Sequence, residues 1–288
     1  MNRKHKTAVL GGDLRQLTMA ELLKSDGIEV SAFALGEVSA PLKEAVESAD
    51  SIILPMPYSI DGIRLNCPLR NSVSPKIEDL FDMFKPEQFI TGGRLDDYAY
   101  DIAAKHGLKL HDYYSREELR IANTIPTAEG AVAIAMTELP VTIHGLKALV
   151  LGFGRVGKVL AETLRSLGAN VTVAARKAED FAWIKSMGCE YTDIRGLDSP
   201  EFGIGGYRCV LNTVPSMILT REILAMLASD TLVIDLASNP GGVDFKAAKE
   251  LGVNVIWALS LPGKTAPVTA GTIIKDTVMN MLREDGRL

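Results

Sequence analysis

Lys147-Ala-Leu-Val-Leu-Gly-Phe-Gly-Arg-Val-Gly157 decides how the rest of the chain is read. Ala148 to Leu151 form an uninterrupted apolar run, the pattern of a strand buried on both faces. Gly152, Gly154 and Gly157 follow in the spacing G-x-G-x-x-G. A helix is expected next, with Val156, Val159, Leu160, Leu164 and Leu167 on one face and Lys158, Glu162 and Arg165 off it. Gly168 stops it, and residues 170–174 read as a second strand. A glycine triplet that closes a strand, opens a helix and reaches a second strand within about 30 residues reads as a dinucleotide loop. Gly152 permits the tight turn, Gly154 lets a pyrophosphate approach the backbone, and Gly157 lets the helix pack close to the strand. The free N–H groups and the dipole at the helix start then favour the anion.

The second strand ends in Ala174-Ala-Arg-Lys177. A unit that binds NAD usually carries Asp or Glu near this point for the ribose 2′-hydroxyl. Here two alanines are followed by two cations, and Arg176 can grip a 2′-phosphate instead. The expected cofactor is therefore NADP. The bland alternative makes Arg176 and Lys177 solvated charges at the start of the next helix. The candidate cofactor set is Gly152, Phe153, Gly154, Arg155, Val156, Gly157 and Arg176, with Thr213, Val214, Pro215 and Ser238 from later strand ends.

Working outward, the N-terminal half repeats the strand-helix alternation. Strands are expected over residues 7–11, 28–34, 51–55, 87–91 and 108–111, and helices over 15–24, 75–84, 95–105 and 115–122. Alternation of this kind builds a parallel sheet. Its first loop, Gly11-Gly-Asp13, lacks a third glycine and carries a carboxylate that repels a pyrophosphate, so it is not expected to hold a dinucleotide. Residues 127–139 read as a long helix, preceded by Pro126, capped by Thr127 and apolar nearly all round. A helix of that kind is expected to be buried, here as the link between two domains. Residues 209–215, 231–235 and 253–257 read as buried strands of the cofactor domain. Asn212, Thr213, Pro215, Ser238 and Asn239 are expected near the ribose or nicotinamide, outside the strand ends. Residues 259–271 read as a shaped loop and 272–283 as the last helix. The division expected is 1–126 plus 265–288 for one domain and 127–264, including helix 127–139, for the NADP domain.

Composition sets the outer bounds. The chain has 288 residues, of which 47% are hydrophobic, enough for one large or two medium domains. A net charge of −5 offers no basic surface for nucleic acid. No apolar run approaches the ~18 residues of a membrane span, and a soluble, cytoplasmic protein is expected. The three cysteines, Cys67, Cys189 and Cys209, form no C-x-x-C pair and read as reduced structural thiols. No metal site is expected.

Several segments together resemble one family. They are Gly11-Gly-Asp-Leu-Arg-Gln16, Asn123-Thr-Ile-Pro-Thr-Ala-Glu-Gly130, Gly152-Phe-Gly-Arg155, Asn212-Thr-Val-Pro-Ser-Met217, Asp235-Leu-Ala-Ser238 with Pro240-Gly-Gly242, and Leu261-Pro-Gly-Lys-Thr-Ala-Pro267 with Thr269-Ala-Gly271. Across nearly the whole chain this pattern is similar to the dipicolinate synthase A-subunit family of endospore-forming bacteria. The resemblance implies two Rossmann-like domains with parallel sheets, as in the D-2-hydroxyacid and alanine dehydrogenases, with the site between them. It implies oxidation of dihydrodipicolinate, derived from the lysine-pathway precursor, to dipicolinate with NADP⁺ during sporulation, in the mother-cell cytoplasm. It also implies a partner, the flavoprotein-like B-subunit of dipicolinate synthase; a homo-oligomer is left open.

A ring bearing two carboxylates needs cations in its site. Arg15, Arg94 and Lys264 are the substrate-binding candidates, each with the alternative of a solvated surface charge. Asp13 and Lys264 are the catalytic candidates, Asp13 either orienting Arg15 or accepting a proton. His5, His106, His111 and His144 all precede the glycine loop. A 2-hydroxyacid dehydrogenase would carry an acid/base histidine around 257–264, and none is there, which disfavours alcohol oxidation. Another two-domain oxidoreductase and a non-catalytic nucleotide-binding protein remain the alternatives.

Overall fold

The computed structural model describes residues 5–36 and 39–288. The chain divides into two compact units, Met1–Asn123 with Ala266–Leu288, and Thr124–Thr265. In chain order the first unit contains β1 (Lys6–Leu10), α1 (Leu14–Ser25), β2 (Glu29–Phe33), α2 (Leu42–Glu47), β3 (Ser51–Ile53), α3 (Ile77–Phe81), β4 (Phe89–Gly92), α4 (Asp97–Lys105), β5 (Leu110–Asp112) and α5 (Glu117–Ala122). The second contains α6 (Thr124–Glu138), β6 (Lys147–Leu151), α7 (Arg155–Ser166), β7 (Asn170–Ala175), α8 (Ala178–Ser186), β8 (Glu190–Asp193), β9 (Cys209–Asn212), α9 (Arg221–Ala225), β10 (Leu232–Asp235), α10 (Phe245–Leu251), β11 (Asn254–Trp257) and α11 (Leu261–Thr265). The last helix, α12 (Pro267–Glu284), belongs to the first unit.

Both sheets are wholly parallel. The first unit's order is β2-β1-β3-β4-β5 and the second's is β11-β10-β9-β6-β7-β8. The first order is that of flavodoxin-like sheets; the second is the Rossmann order of six strands. Each sheet reverses its winding once, at β1/β3 and at β6/β9. Ligands of open α/β sheets bind outside the strand ends at such points.

The central strands are apolar because helices cover both faces. Val150, Leu211 and Ile234 pack on one side of the second sheet, with Ala128, Ala135 and Leu160; Leu149, Val210 and Val233 pack on the other, with Leu224 and Ala248. Burying one such aliphatic side chain contributes roughly 1.5–3 kcal/mol. In the first unit Leu10, Ile52 and Ile90 face one layer, and Val9, Ile53 and Phe89 face the layer that holds Met19, Ile274 and Val278. Helix α12 therefore completes this core, packed along α1. Gly271 makes the crossing close, since a Cβ there would stand 2.6 Å from the Arg15 carbonyl.

Four local expectations change. Helix α6 starts at Thr124 rather than at residue 127, so Thr127 lies inside it and is not its cap. Pro126 sits in the first turn, where its missing N–H breaks no helical bond. The same helix is not buried on every side: Ile125, Glu129, Ala133 and Met136 are exposed, Met136 by 62%. Residues 259–271 are no loop, because α11 forms and Pro267 starts α12 at its first position. Strand β11 is an edge strand with half-exposed faces, not a buried one.

Candidate functional site

The reversal point of the second sheet is built around Gly152. Its φ of +96° is a left-handed conformation that favours glycine, and a Cβ there would meet Thr213 Oγ1 at 2.6 Å. Thr213 closes the turn, with both its N–H and its hydroxyl donating to the Leu151 carbonyl at 2.9 and 2.8 Å. Gly157 packs α7 onto the turn so closely that a Cβ would lie 2.2 Å from the Gly152 carbonyl oxygen. Gly154, the residue before α7, has nothing within 4 Å of an added Cβ. Two glycines thus bring the backbone together, and the third leaves open space at the start of a twelve-residue helix.

That space continues into a pocket of about 510 Å³ lined by Gly152, Phe153, Gly154, Ala174, Ala175, Arg176, Thr213, Val214 and Pro215, with Ser216, Ile194 and Ile218 adding walls. Seven of the expected cofactor residues meet here. Arg155 and Val156 lie in the first turn of α7, and Gly157 is buried beneath it. Ser238, after β10, is exposed and does not line the pocket. No carboxylate stands at Ala174 or Ala175. Arg176 is exposed and has no side-chain hydrogen bond or ion pair among the described residues. The pocket also takes in Lys158, Lys177, Glu179 and Asp180. In the sequence Lys158 reads as a solvent-side helix residue. Its spacing of four from Gly154, one turn along the same face, is the signal that marks it.

Asn212 does not face a ligand. It is fully buried, donates to Asp235 Oδ1 at 2.8 Å and to the Val214 carbonyl at 3.1 Å, and accepts from the Val214 N–H. Asp235, also fully buried, accepts from the N–H groups of Ala237 and Gly242. This pair fixes the turns after β9 and β10, which shapes the pocket wall from behind. A buried amide and carboxylate need such partners, and sequence alone does not separate them from ligand-facing groups.

The reversal point of the first sheet is occupied by protein. The Gly12 N–H donates to the Asn66 carbonyl at 2.8 Å, and a Cβ on Gly11 would stand 2.8 Å from Cys67 Sγ. Residues 65–67 therefore fill the place where a nucleotide would lie. Beside them Asp13 caps α1 in a capping box with Gln16. Its carboxylate accepts from Arg15 Nε at 2.9 Å and from Nη2 at 2.8 Å, while Nη2 also donates to the Met56 carbonyl at 2.6 Å. Arg15 is only 8% exposed, yet its Nη1 has no partner among the described residues and is not buried. The result is a fixed guanidinium between the ends of β1 and β3, with one edge unused. Asp13 orients it, having both oxygens engaged.

The other candidates are more exposed. Arg94 follows β4 with a φ of +59°; its N–H donates to Asp112 Oδ1, and its guanidinium lies 5.8 Å from the Tyr114 ring centre. Lys264 is an exposed residue in the last turn of α11, not on a free Pro-Gly turn. Burial pushes the Cys67 thiol up to about 11 and the Cys209 thiol up to about 12, and raises Cys189, so all three stay protonated and unreactive at neutral pH. Among the described residues no cluster of His, Cys, Asp or Glu could hold a metal ion, and no helix is long and apolar enough to cross a membrane.

Comparison with known proteins accounts for both units. Residues 6–114 match the family of dipicolinate synthase A-subunit N-terminal domains. The dipicolinate synthase A-subunit of Bacillus subtilis (strain 168) is 34% identical over 290 residues, covering 97% of this chain and 96% of that protein. The crystal structure of the dipicolinate synthase A-subunit from Bacillus halodurans superposes with a TM-score of 0.88 at 30% identity, covering 96% of this chain and 97% of that one. L-alanine dehydrogenase, at 13% identity, shares the fold with a TM-score of 0.67 over 96% of this chain and 90% of its own. With a fold of two Rossmann-like units and identity at this level along its length, the chain belongs to the dipicolinate synthase A-subunit family.

Proposed function

We propose that the chain is an NADP-dependent oxidoreductase that converts dihydrodipicolinate to dipicolinate, as the A-subunit of a dipicolinate synthase. The observation that carries this reading is the open glycine cradle that continues into a pocket ending on Arg176, with no carboxylate where a ribose 2′-hydroxyl would be held. The cradle fits the group: backbone N–H groups at the start of α7 receive a pyrophosphate, and Gly154 leaves room for it. Arg176 gives the 2′-phosphate a cation, which favours NADP over NAD. Bound NADP⁺ supplies a hydride acceptor; the dihydropyridine ring gives up one hydride and one proton and becomes aromatic.

The chain's own residues bind and orient. Arg15, locked by Asp13 and the Met56 carbonyl, presents Nη1 to a substrate carboxylate without losing rotamer freedom on binding. Arg94 and Lys264 are further candidates for the second carboxylate. Asp13 holds Arg15, and the ring proton is released to water. Aromatisation supplies the driving force, so no strong base is required, which agrees with the absence of a histidine after residue 144. The family name further implies a second polypeptide, the B-subunit.

The test is turnover by purified chain, first by itself and then with the B-subunit, on dihydrodipicolinate formed in place from its precursor. The reading predicts dipicolinate and NADPH in equal amounts, with NAD⁺ a poorer oxidant. No turnover in either preparation would defeat it. Turnover that survives Gly154→Val in the two-component enzyme would make this chain a non-catalytic partner.

A further inference from the structure

Three cations line the pocket beyond Gly154: Lys158, Arg176 and Lys177. They are not equivalent. Lys177 Nζ lies 3.1 Å from Glu179 Oε1, an exposed ion pair. Lys158 and Arg176 have no carboxylate partner among the described residues. Lys158 stands one helical turn beyond Gly154, its N–H bonded to the Gly154 carbonyl at 3.0 Å. Its ammonium is 5.2 Å from the centre of the Phe153 ring, which is 7% exposed and packed into the core of the unit. Lys158 itself is exposed, and the attraction of a cation to an aromatic face biases its ammonium toward this position. The pocket wall also contains Asp180, in the first turn of α8. Counting Glu179 and Asp180 against Arg176 and Lys177 leaves the wall neutral without Lys158 and singly positive with it. A phosphate monoester carries about −1.5 to −2 charges at neutral pH. Without Lys158, Arg176 is the one cation of this wall that has no carboxylate partner among the described residues.

We propose that Lys158, seated on Phe153, is the second cation for the 2′-phosphate of NADP and acts together with Arg176. The inference rests on the assignment of this pocket to NADP. The pyrophosphate has its own donors in the N–H groups at the start of α7, so Lys158 adds selectivity rather than general affinity.

The experiment measures dissociation constants for NADP⁺, NAD⁺, adenosine 2′,5′-bisphosphate and AMP with the wild type, Lys158→Met and Lys158→Arg. Methionine keeps the stem and the helix propensity, so the variant folds; a thermal melt checks this. Lys158→Met is expected to weaken NADP⁺ and the bisphosphate by about tenfold, with NAD⁺ and AMP changed less than about twofold, as for one charge-assisted contact. Lys158→Arg should keep the preference. Equal losses for NADP⁺ and NAD⁺ would assign Lys158 to the pyrophosphate, and unchanged NADP⁺ affinity would make it a solvated residue; either overturns the proposal. A wild type that prefers NADP⁺ while Lys158→Met keeps that full preference overturns this proposal alone. A wild type with no preference for NADP⁺ overturns the NADP assignment with it.

Discussion

Replacing Gly154 by valine separates cofactor binding from folding, because the structure predicts opposite outcomes for neighbouring glycines. The backbone at Gly154 has φ −78° and ψ −165°, an extended conformation open to any residue. An added Cβ meets nothing within 4 Å. The folded protein therefore loses only the modest advantage of glycine over valine in front of a helix, about 0.5–1 kcal/mol. That corresponds to roughly 1–4 °C in the melting temperature of a domain near this size. The same branched side chain fills the space a pyrophosphate must enter to reach the first N–H groups of α7. Titration with NADP⁺ or NADPH should show at least a hundredfold loss of affinity, about 2.8 kcal/mol. Gly157→Ala is the control with the reverse pattern. Its Cβ would lie 2.2 Å from the Gly152 carbonyl oxygen and 2.9 Å from its carbon, backbone atoms that cannot rotate away. It should lower stability by about 1–3 kcal/mol, as overpacked cores do. Near-native affinity in Gly154→Val would place the cofactor elsewhere. A collapse of its melting temperature would show that the open space around Gly154 is wrong.

Arg176→Ala should weaken NADP⁺ binding by about 1–3 kcal/mol and leave NAD⁺ nearly unchanged; equal loss for both would remove Arg176 from the 2′-phosphate. Arg15→Met should raise the Michaelis constant for the dicarboxylate by about tenfold to a hundredfold without changing NADP⁺ affinity, and unaltered kinetics would make Arg15 a purely structural partner of Asp13. Lys264→Met is expected to act in the same direction, by about tenfold to a hundredfold, and an unchanged constant would return Lys264 to the class of solvated charges. His111 is stacked on Phe89 at 4.4 Å, and burial, with Lys109 next, holds its pKa below the usual histidine value. The unfolded chain therefore takes up this proton first, and stability falls as pH drops below about 6.5 and is level above it. His111→Phe should flatten that part of the stability–pH curve; an unchanged slope would mean that other groups cause it.

What is legible in the sequence follows from local pattern. A short apolar run such as Ala148 to Leu151, closed at once by the glycine spacing, reads as a strand covered on both faces, and that spacing marks a turn whose geometry is local. Prolines mislead at two helix starts, since the rule that places them at the first position does not say how much helix precedes or follows. Pro126 lies two residues inside α6, and Pro267 opens α12 five residues before its expected start. Short helices such as α2 and α9, with five or six residues, give too few turns for a period to show. The roles of polar groups depend on packing. Asn212 has the pattern of a ligand-facing residue and instead bonds to Asp235, whereas Lys158 has the pattern of a solvated charge and lines the pocket. The filling of the first unit's reversal point by residues 65–67 depends on a contact across more than fifty residues of chain, which no local rule reads.

The most direct test is a crystal structure of the protein with NADP⁺ and dipicolinate. The account predicts the pyrophosphate on the N–H groups at the start of α7, the 2′-phosphate against Arg176, and a dipicolinate carboxylate on Arg15 Nη1. A dinucleotide bound away from Gly154, or a 2′-phosphate turned into solvent with Arg176 and Lys158 both unengaged, would contradict it.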